Sequence, residues 1–290
     1  MASSQAAGTG YKLTRQLGPA RTVVTGVDGS WVATFTDGAF TVTLAGPERV
    51  FSERTAGNRV VSRTRVRALD RPFDGNLDVA WLDRARTETS ADVLELAMQY
   101  IEGAPLLADS GGMRIAGDAD YGPMQPDGSR QEGSDFNDYL GVSWTYGATV
   151  DAPEASQIAS LDCSGFVRML WGYRTGLPLG LDASASAIPR RAHQMLAGAP
   201  GVVTVPNRGR QVTDLARLAP GDLLFFDATA DDGPQIDHVG IYLGRDAGGQ
   251  ARFVSSRKTI NGPTLGDQAG KSVLDGAGLY AKGLRAIRRL

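Results

Sequence analysis

The only cysteine among 290 residues sits in the stretch Leu161-Asp162-Cys163-Ser164-Gly165-Phe166-Val167. The residues that follow keep helical spacing, with Phe166, Val167, Leu170 and Trp171 on one face. Asp162 is placed to cap this helix through its carboxylate. That predicts Cys163 in the first turn, where the positive end of the helix favours a thiolate over a thiol. A free cysteine is more commonly a small buried hydrophobe. Here Asp, Ser and Gly crowd the sulfur, and such flanks suit a polar entrance better than a packed core. A single cysteine also excludes an internal disulfide and any cysteine-based zinc site.

Charge excludes further classes. The chain has 30 basic and 32 acidic residues and no long Lys/Arg block, so it carries no nucleic-acid footprint. No run of about 18 apolar residues exists to span a membrane. Met1-Ala2-Ser3-Ser4-Gln5-Ala6-Ala7-Gly8 lacks the basic start and apolar run of a secretory signal. The expectation is a protein cytoplasmic as synthesised, acting outside the cell only if exported by another route. A hydrophobic content of 42% in a chain this long supports one sizeable core and a smaller unit.

In chain order, residues 1–10 read as a disordered tail and 11–76 as a β-rich segment or small domain. Trp31–Thr36 alternates, Asp37-Gly38 supplies a turn, and Ala39–Leu44 alternates again. Asn58–Arg67 reads as a further strand. An extension packed on the main domain is favoured over a small barrel or sandwich, since a β-domain needs several more strands to close a core. Residues 77–290 form the main domain. Leu77–Arg86 is expected helical with Asn76 as cap, and Val93–Ile101 helical until Gly103-Ala104-Pro105 stops it. Residues 107–160 read as a long inserted loop. Asp118, Asp120, Asp127, Glu132, Asp135 and Asp138 gather there without the spacing of a calcium loop, so solvated carboxylates are expected and no metal.

Beyond the cysteine helix, Ile188–Leu196 reads as a short helix, and Leu223–Phe226, Asp237–Gly244 and Ala251–Ser256 as strands. A helix followed by antiparallel strands is an α+β arrangement. In the second of these strands Val239, Ile241 and Leu243 share one face, while His238, Gly240 and Tyr242 share the other. A glycine beside the histidine leaves room for a group to approach the imidazole. Only two histidines exist, and His193 lies beside Arg190 and Arg191 as a surface residue. Cys163 with His238 is therefore the candidate dyad: the thiolate attacks an acyl carbon, and the imidazole serves the leaving amine and then water. Backbone N–H groups at the helix start, including that of Cys163, are candidate oxyanion donors, with Asp162 and Ser164 supporting.

Three blocks, Asp162–Val167, Pro220-Gly221-Asp222-Leu223-Leu224-Phe225-Phe226 and His238–Gly244, resemble in order and separation the signatures of the NlpC/P60 family. Gln99–Pro105, Ile188-Pro189-Arg190 and Gly283–Arg289 fit as well, so the resemblance covers about residues 90–290. It implies a papain-like core, Cys163 as nucleophile, His238 as base, no cofactor, and peptidoglycan stem peptides as substrate, cut at the γ-D-glutamyl-diaminopimelate or a neighbouring bond. Three features depart from the pattern. Ser255 stands where the family usually has a charged or polar residue, often His, to hold the imidazole; Ser256, Asp237 and Asp267 are other candidates for that task. Leu106 stands where the family commonly has a tyrosine, and Tyr121 is the candidate to replace it. The segment 107–160 is longer than the family norm, which implies a narrowed or capped cleft. The rival readings are an acyltransferase on the same fold, or a catalytically weak wall-binding part of a larger assembly such as a phage-tail-like particle.

Overall fold

The computed structural model describes residues 3–5 (backbone only), 10–54, 57–229 and 233–290. Of the expected tail, residues 1, 2 and 6–9 lie outside the described ones, while Ser3–Gln5 pairs as a strand. Alternating apolar and polar residues build an antiparallel meander of six strands. They are β1 (Ser3–Gln5), β2 (Tyr11–Gln16), β3 (Arg21–Gly26), β4 (Trp31–Thr36), β5 (Thr41–Ser52) and β6 (Arg59–Ala68), each bonded to the next. Gly38 turns β4 into β5 at φ 77°, where a Cβ would be strained.

Helix α1 (Val79–Thr87) lays Leu82 and Ala85 on Val24, Phe35, Val42 and Leu44 of this sheet. The meander thus has twice the strands that the alternation alone marks, and closes a core of its own with one helix. It is also joined to the rest. Val60 and Val66 enter the main core, and Thr41 N–H donates to the Leu290 carbonyl at 2.7 Å. The cap of α1 is Asp78, whose Oδ1 accepts from Trp81 N–H at 2.9 Å, and not Asn76. The helix starts where Leu82 can reach the sheet, two residues later than the sequence suggested. Helix α2 (Val93–Met98) starts where expected, with Asp92 and Glu95 as a capping box. The same Asp92 carboxylate accepts from Arg49 at 2.6 Å and from Val66 N–H at 2.6 Å, which ties α2 to β5 and β6.

Residues 107–160 are not one loop. They fold as the hairpin β7 (Leu107–Ala108) and β8 (Arg114–Ala116), helix α3 (Phe136–Leu140), and the hairpin β9 (Trp144–Tyr146) and β10 (Thr149–Asp151). Their carboxylates serve the chain itself. Asp118 accepts from Gly103 N–H, Asp120 from Asn261, Asp127 from Ser129 N–H, and Asp138 from Glu154 N–H.

The remainder is helix on sheet. Helix α4 (Cys163–Val167) runs straight into a π-helix, Arg168–Arg174, and is followed by α5 (Ala192–Gly198). The second sheet comprises β11 (Val202–Val205), β12 (Leu223–Phe226), β13 (His238–Arg245), β14 (Ala251–Arg257), β15 (Gly262–Thr264) and, after α6 (Leu279–Gly283), β16 (Leu284–Arg289). Its order is β11-β16-β12-β13-β14-β15, all antiparallel. Val239, Ile241 and Val254 pack beneath Phe166 and Leu170 on one face. Leu224, Phe226, Tyr242 and Phe253 form a second core on the other. This is the α+β arrangement expected. No helix among the described residues is long and apolar enough to cross a membrane.

Candidate active site

The start of α4 is held by one carboxylate. Asp162 Oδ1 accepts from Gly165 N–H at 2.7 Å and from the Ser164 hydroxyl at 3.0 Å. Its Oδ2 accepts from Gly133 N–H at 3.1 Å and from Arg190 Nη2 at 2.7 Å. Arg190 also donates to Ser164 Oγ at 2.7 Å. The Arg190 guanidinium draws the Asp162 carboxyl below the usual carboxylate range against the cost of burial. Asp162 and Ser164 are therefore bound into the helix entry. The N–H of Cys163 has no protein acceptor among the described residues, so it points to a place where an oxyanion can be received.

Cys163 itself is 7% exposed. Burial pushes its thiol up to about 12, the Asp162 charge adds to the rise, and a backbone hydrogen bond from Val239 and the Arg190 charge act against it. The expected thiolate is thus not the resting form. The helix is short and its capping carboxylate sits beside the sulfur, so desolvation outweighs the helix end.

His238 opens β13 opposite Phe226 of β12. Its ring lies against Phe226, at 5.8 Å between centroids, and against Tyr280 of α6, at 5.3 Å. Burial and the nearby Arg257 cation lower its pKa to about 3, against an upward pull from Asp162. Nε2 lies 3.0 Å from Ser255 Oγ. Ser255, the candidate for holding the imidazole, thus meets the ring at Nε2, which leaves Nδ1 as the other nitrogen. The rival candidates are engaged elsewhere. Ser256 donates to the Leu161 carbonyl, Asp237 accepts from Ala228 and Thr229 N–H, and Asp267 pairs with Arg252. The gap that Gly240 was expected to leave is filled: a Cβ there would stand 2.8 Å from the Phe253 ring.

Cys163, Ser164 and His238 line one cleft of about 490 Å³. Tyr121 reaches its wall from the inserted segment, 4% exposed. Burial, Cys163 and Asp162 all push the Tyr121 phenol up, so its hydroxyl stays protonated as a donor. Leu106, at the usual tyrosine position, is 62% exposed and lines nothing here. Across the rim, Glu132 of the insertion pairs with Lys258 at 2.5 Å. Tyr121 and Glu132 of the insertion thus line one side of the cleft, while Phe136, Tyr139 and Leu140 of α3 enter the main core with Phe166. Arg168 of the π-helix is fully buried and pairs with Asp135 at 2.9 Å. His193 is exposed and lines the rim.

Two cleft residues escape the sequence reading. Tyr280 stacks on both His238 and Arg257, and Arg257 donates to Ser255. The only sequence hint of Arg257 is that it follows Ser255 by two positions, which offsets it along the same face of β14. No group of His, Cys, Asp and Glu among the described residues is arranged to hold a metal ion.

A family model described as NlpC/P60 family matches residues 141–271. None of the curated proteins matches the chain. Among solved structures, the chain is similar to a lipoprotein-like protein of the NLP/P60 family from Staphylococcus aureus. The two share 18% identity over 76% of this chain and 51% of the other, with a TM-score of 0.30. It is also similar to NlpC1 from Trichomonas vaginalis, at 13% identity over 96% of this chain and 80% of the other, with a TM-score of 0.32. The chain therefore spans about half the length of the first of these. The matched residues 141–271, a little under half of the chain, contain Cys163, His238 and Ser255, and it is this segment that matches the NlpC/P60 family.

Proposed function

We propose that the chain is a cysteine peptidase that hydrolyses stem peptides of bacterial peptidoglycan, at the γ-D-glutamyl-diaminopimelate or a neighbouring bond. Members of the NlpC/P60 family are generally cell-wall peptidases. The observation that carries the reading is the shared cleft: the one cysteine and a half-buried histidine line it together, with Ser255 on the ring Nε2.

In this mechanism Cys163 Sγ adds to the scissile carbonyl carbon while its proton passes to Nδ1 of His238. The carbonyl electron pair moves to oxygen, and the Cys163 N–H and the Tyr121 hydroxyl receive it. Collapse breaks the C–N bond, and the departing amine takes the proton from the imidazolium. Water then gives a proton to the imidazole and adds to the thioester carbon. The C–S bond breaks, the sulfur recovers its proton, and a carboxylic acid is released.

Digestion of purified muropeptides by the wild type and by Cys163→Ala, read by mass spectrometry, tests this. New stem-peptide fragments from the wild type alone identify the bond. No products from either protein, with Cys163 also inert to alkylation, would overturn it. The uncharged Ser255 favours one other reading, a catalytically weak wall-binding component. Retained binding to insoluble peptidoglycan with an inert thiol is its signature. Added amine acceptors distinguish acyl transfer, because the acceptor would then appear in the product.

A further inference from the structure

Ser255 joins two groups. Its hydroxyl oxygen lies 3.1 Å from Arg257 Nε and 3.0 Å from His238 Nε2. A hydroxyl has one proton and two lone pairs, and an arginine never gives up its proton in a protein. Arg257 Nε–H therefore always occupies one lone pair. Among the described residues the one acceptor within reach of the Ser255 proton is His238 Nε2. If Nε2 accepts, a neutral imidazole carries its proton on Nδ1.

The Arg257 charge also makes no ion pair among the described residues: the Glu53 and Asp267 carboxylates act on it only through space, Glu53 being bonded to Thr264 and Asp267 paired with Arg252. Its other partners are neutral, the Gly270 carbonyl and the Ser272 hydroxyl, both at 2.6 Å. Phe253 and Tyr280 cover its faces at 5.2 and 4.3 Å. Arg257 is 3% exposed, so water screens it little.

The other groups around the imidazole do not cancel this cation. Asp162, at the start of α4, is paired with Arg190. Asp237, next in the chain, is engaged by two N–H groups. Cys163, Tyr121 across the cleft and Tyr280 of α6 are uncharged at neutral pH, since each is shifted upward by burial.

We propose that Arg257 is a positioning residue for the cysteine–histidine pair: acting through the Ser255 hydroxyl, it selects the Nδ1–H tautomer of His238 and opposes a second proton on the ring. The resting imidazole then presents an N–H, not a lone pair, on the side left for the cysteine. Taking the thiol proton requires the other tautomer: the Nδ1 proton passes to water while water returns one to Nε2, and the Ser255 hydroxyl turns so that its oxygen accepts from both Arg257 Nε–H and Nε2–H, leaving the lone pair on Nδ1. The consequence for catalysis rests on the peptidase reading. The state of the ring does not, and it is measured without turnover.

The test is long-range ¹H–¹⁵N NMR of the histidine side chains in the full chain across pH. With two histidines in the chain, a His193→Gln spectrum assigns the signals. The expected wild-type result is an Nδ1–H imidazole with its protonation midpoint far below that of a free histidine. Arg257→Met should raise that midpoint by about one pH unit or more and populate Nε2–H. Arg257→Lys, which keeps the charge, should stay within about half a unit of the wild type. An unmoved midpoint in Arg257→Met, or equal shifts in both variants, overturns the proposal and leaves Arg257 a structural residue. Should Arg257→Met not fold, the wild-type tautomer decides alone, and Nε2–H overturns the proposal. Failure to cut muropeptides with these NMR results in place would count against the peptidase reading only.

Discussion

Gly165 of the cysteine helix and the Ser134 carbonyl of the inserted segment touch so closely that a Cβ on Gly165 would lie 2.2 Å from that oxygen. The glycine after Cys163-Ser164 therefore serves the insertion as well as the helix. Asp162 N–H donates to the same Ser134 carbonyl at 2.9 Å. Gly165→Ala should destabilise the protein by about 1–3 kcal/mol, the usual cost of overpacking, or more because backbone is what must move. Urea unfolding of the variant measures it. An unchanged midpoint would mean that the insertion shifts freely.

Asp162 is the other hinge of the entry. Asp162→Ala removes a helix cap and leaves the Arg190 charge, only 17% exposed, with no carboxylate nearer than Asp135 at 3.6 Å. Removing one partner of a buried pair costs about 3–5 kcal/mol. Adding Arg190→Met to Asp162→Ala should recover part of that loss, because the stranded charge goes too. Equal stability of the single and double variants in chemical denaturation would contradict this.

The thiol pushed up to about 12 predicts the pH course of its reactivity. Iodoacetamide modification of Cys163 should accelerate by about tenfold per pH unit from neutral pH to pH ~10, because only the thiolate reacts. Mass spectrometry of the intact protein gives the rates. A plateau near neutral pH would reveal a preformed thiolate.

His238 makes a signed prediction about stability. Its folded pKa, lowered from 6.5 to about 3, means that below the unfolded value the unfolded chain holds more protons. The stability that the neutral ring contributes is therefore present above pH ~6.5 and is lost as pH falls toward 3, with a slope of about 1.4 kcal/mol per pH unit. Asp138, raised to about 7, has the opposite slope above its unfolded pKa. The difference between the wild type and His238→Gln isolates the histidine. A pH-independent difference between pH 4 and 6 would show an accessible, ordinary ring.

Tyr121→Phe should lower kcat by about 10- to 100-fold while leaving the fold intact, if its hydroxyl supports the oxyanion. Its position by the cleft and its protonated phenol motivate this. A loss confined to KM would assign the ring to substrate binding instead.

What the sequence made legible was what lies contiguous in it. Cys163 sits within one block and His238 within another, and Ser255 was named through the family resemblance, at a position along β14. The strands around Asp37-Gly38 and the helix after Asp92 also carry local signals strong enough to read. Elements of three to five residues, such as β9 and α3, are too short for any periodicity to mark them, so residues 107–160 read as loop. The protonation of Cys163 was misjudged because a helix end is visible in sequence and burial is not. Tyr280 and Arg257 were invisible for the same reason: the chain folds back from α6 to bring one onto the other.

The second sheet has a consequence in time. Its sequence-last strand, β16, lies between β11 and β12 rather than at an edge. On the ribosome β12 to β15 are made first, and β12 waits with one edge unpaired until residues 284–289 emerge. Arg289 then closes on the fully buried Asp222 at 2.7 Å. The sheet that carries His238 is thus completed only after β16 has been synthesised, and a chain truncated before residue 284 leaves β12 without the strand on that side.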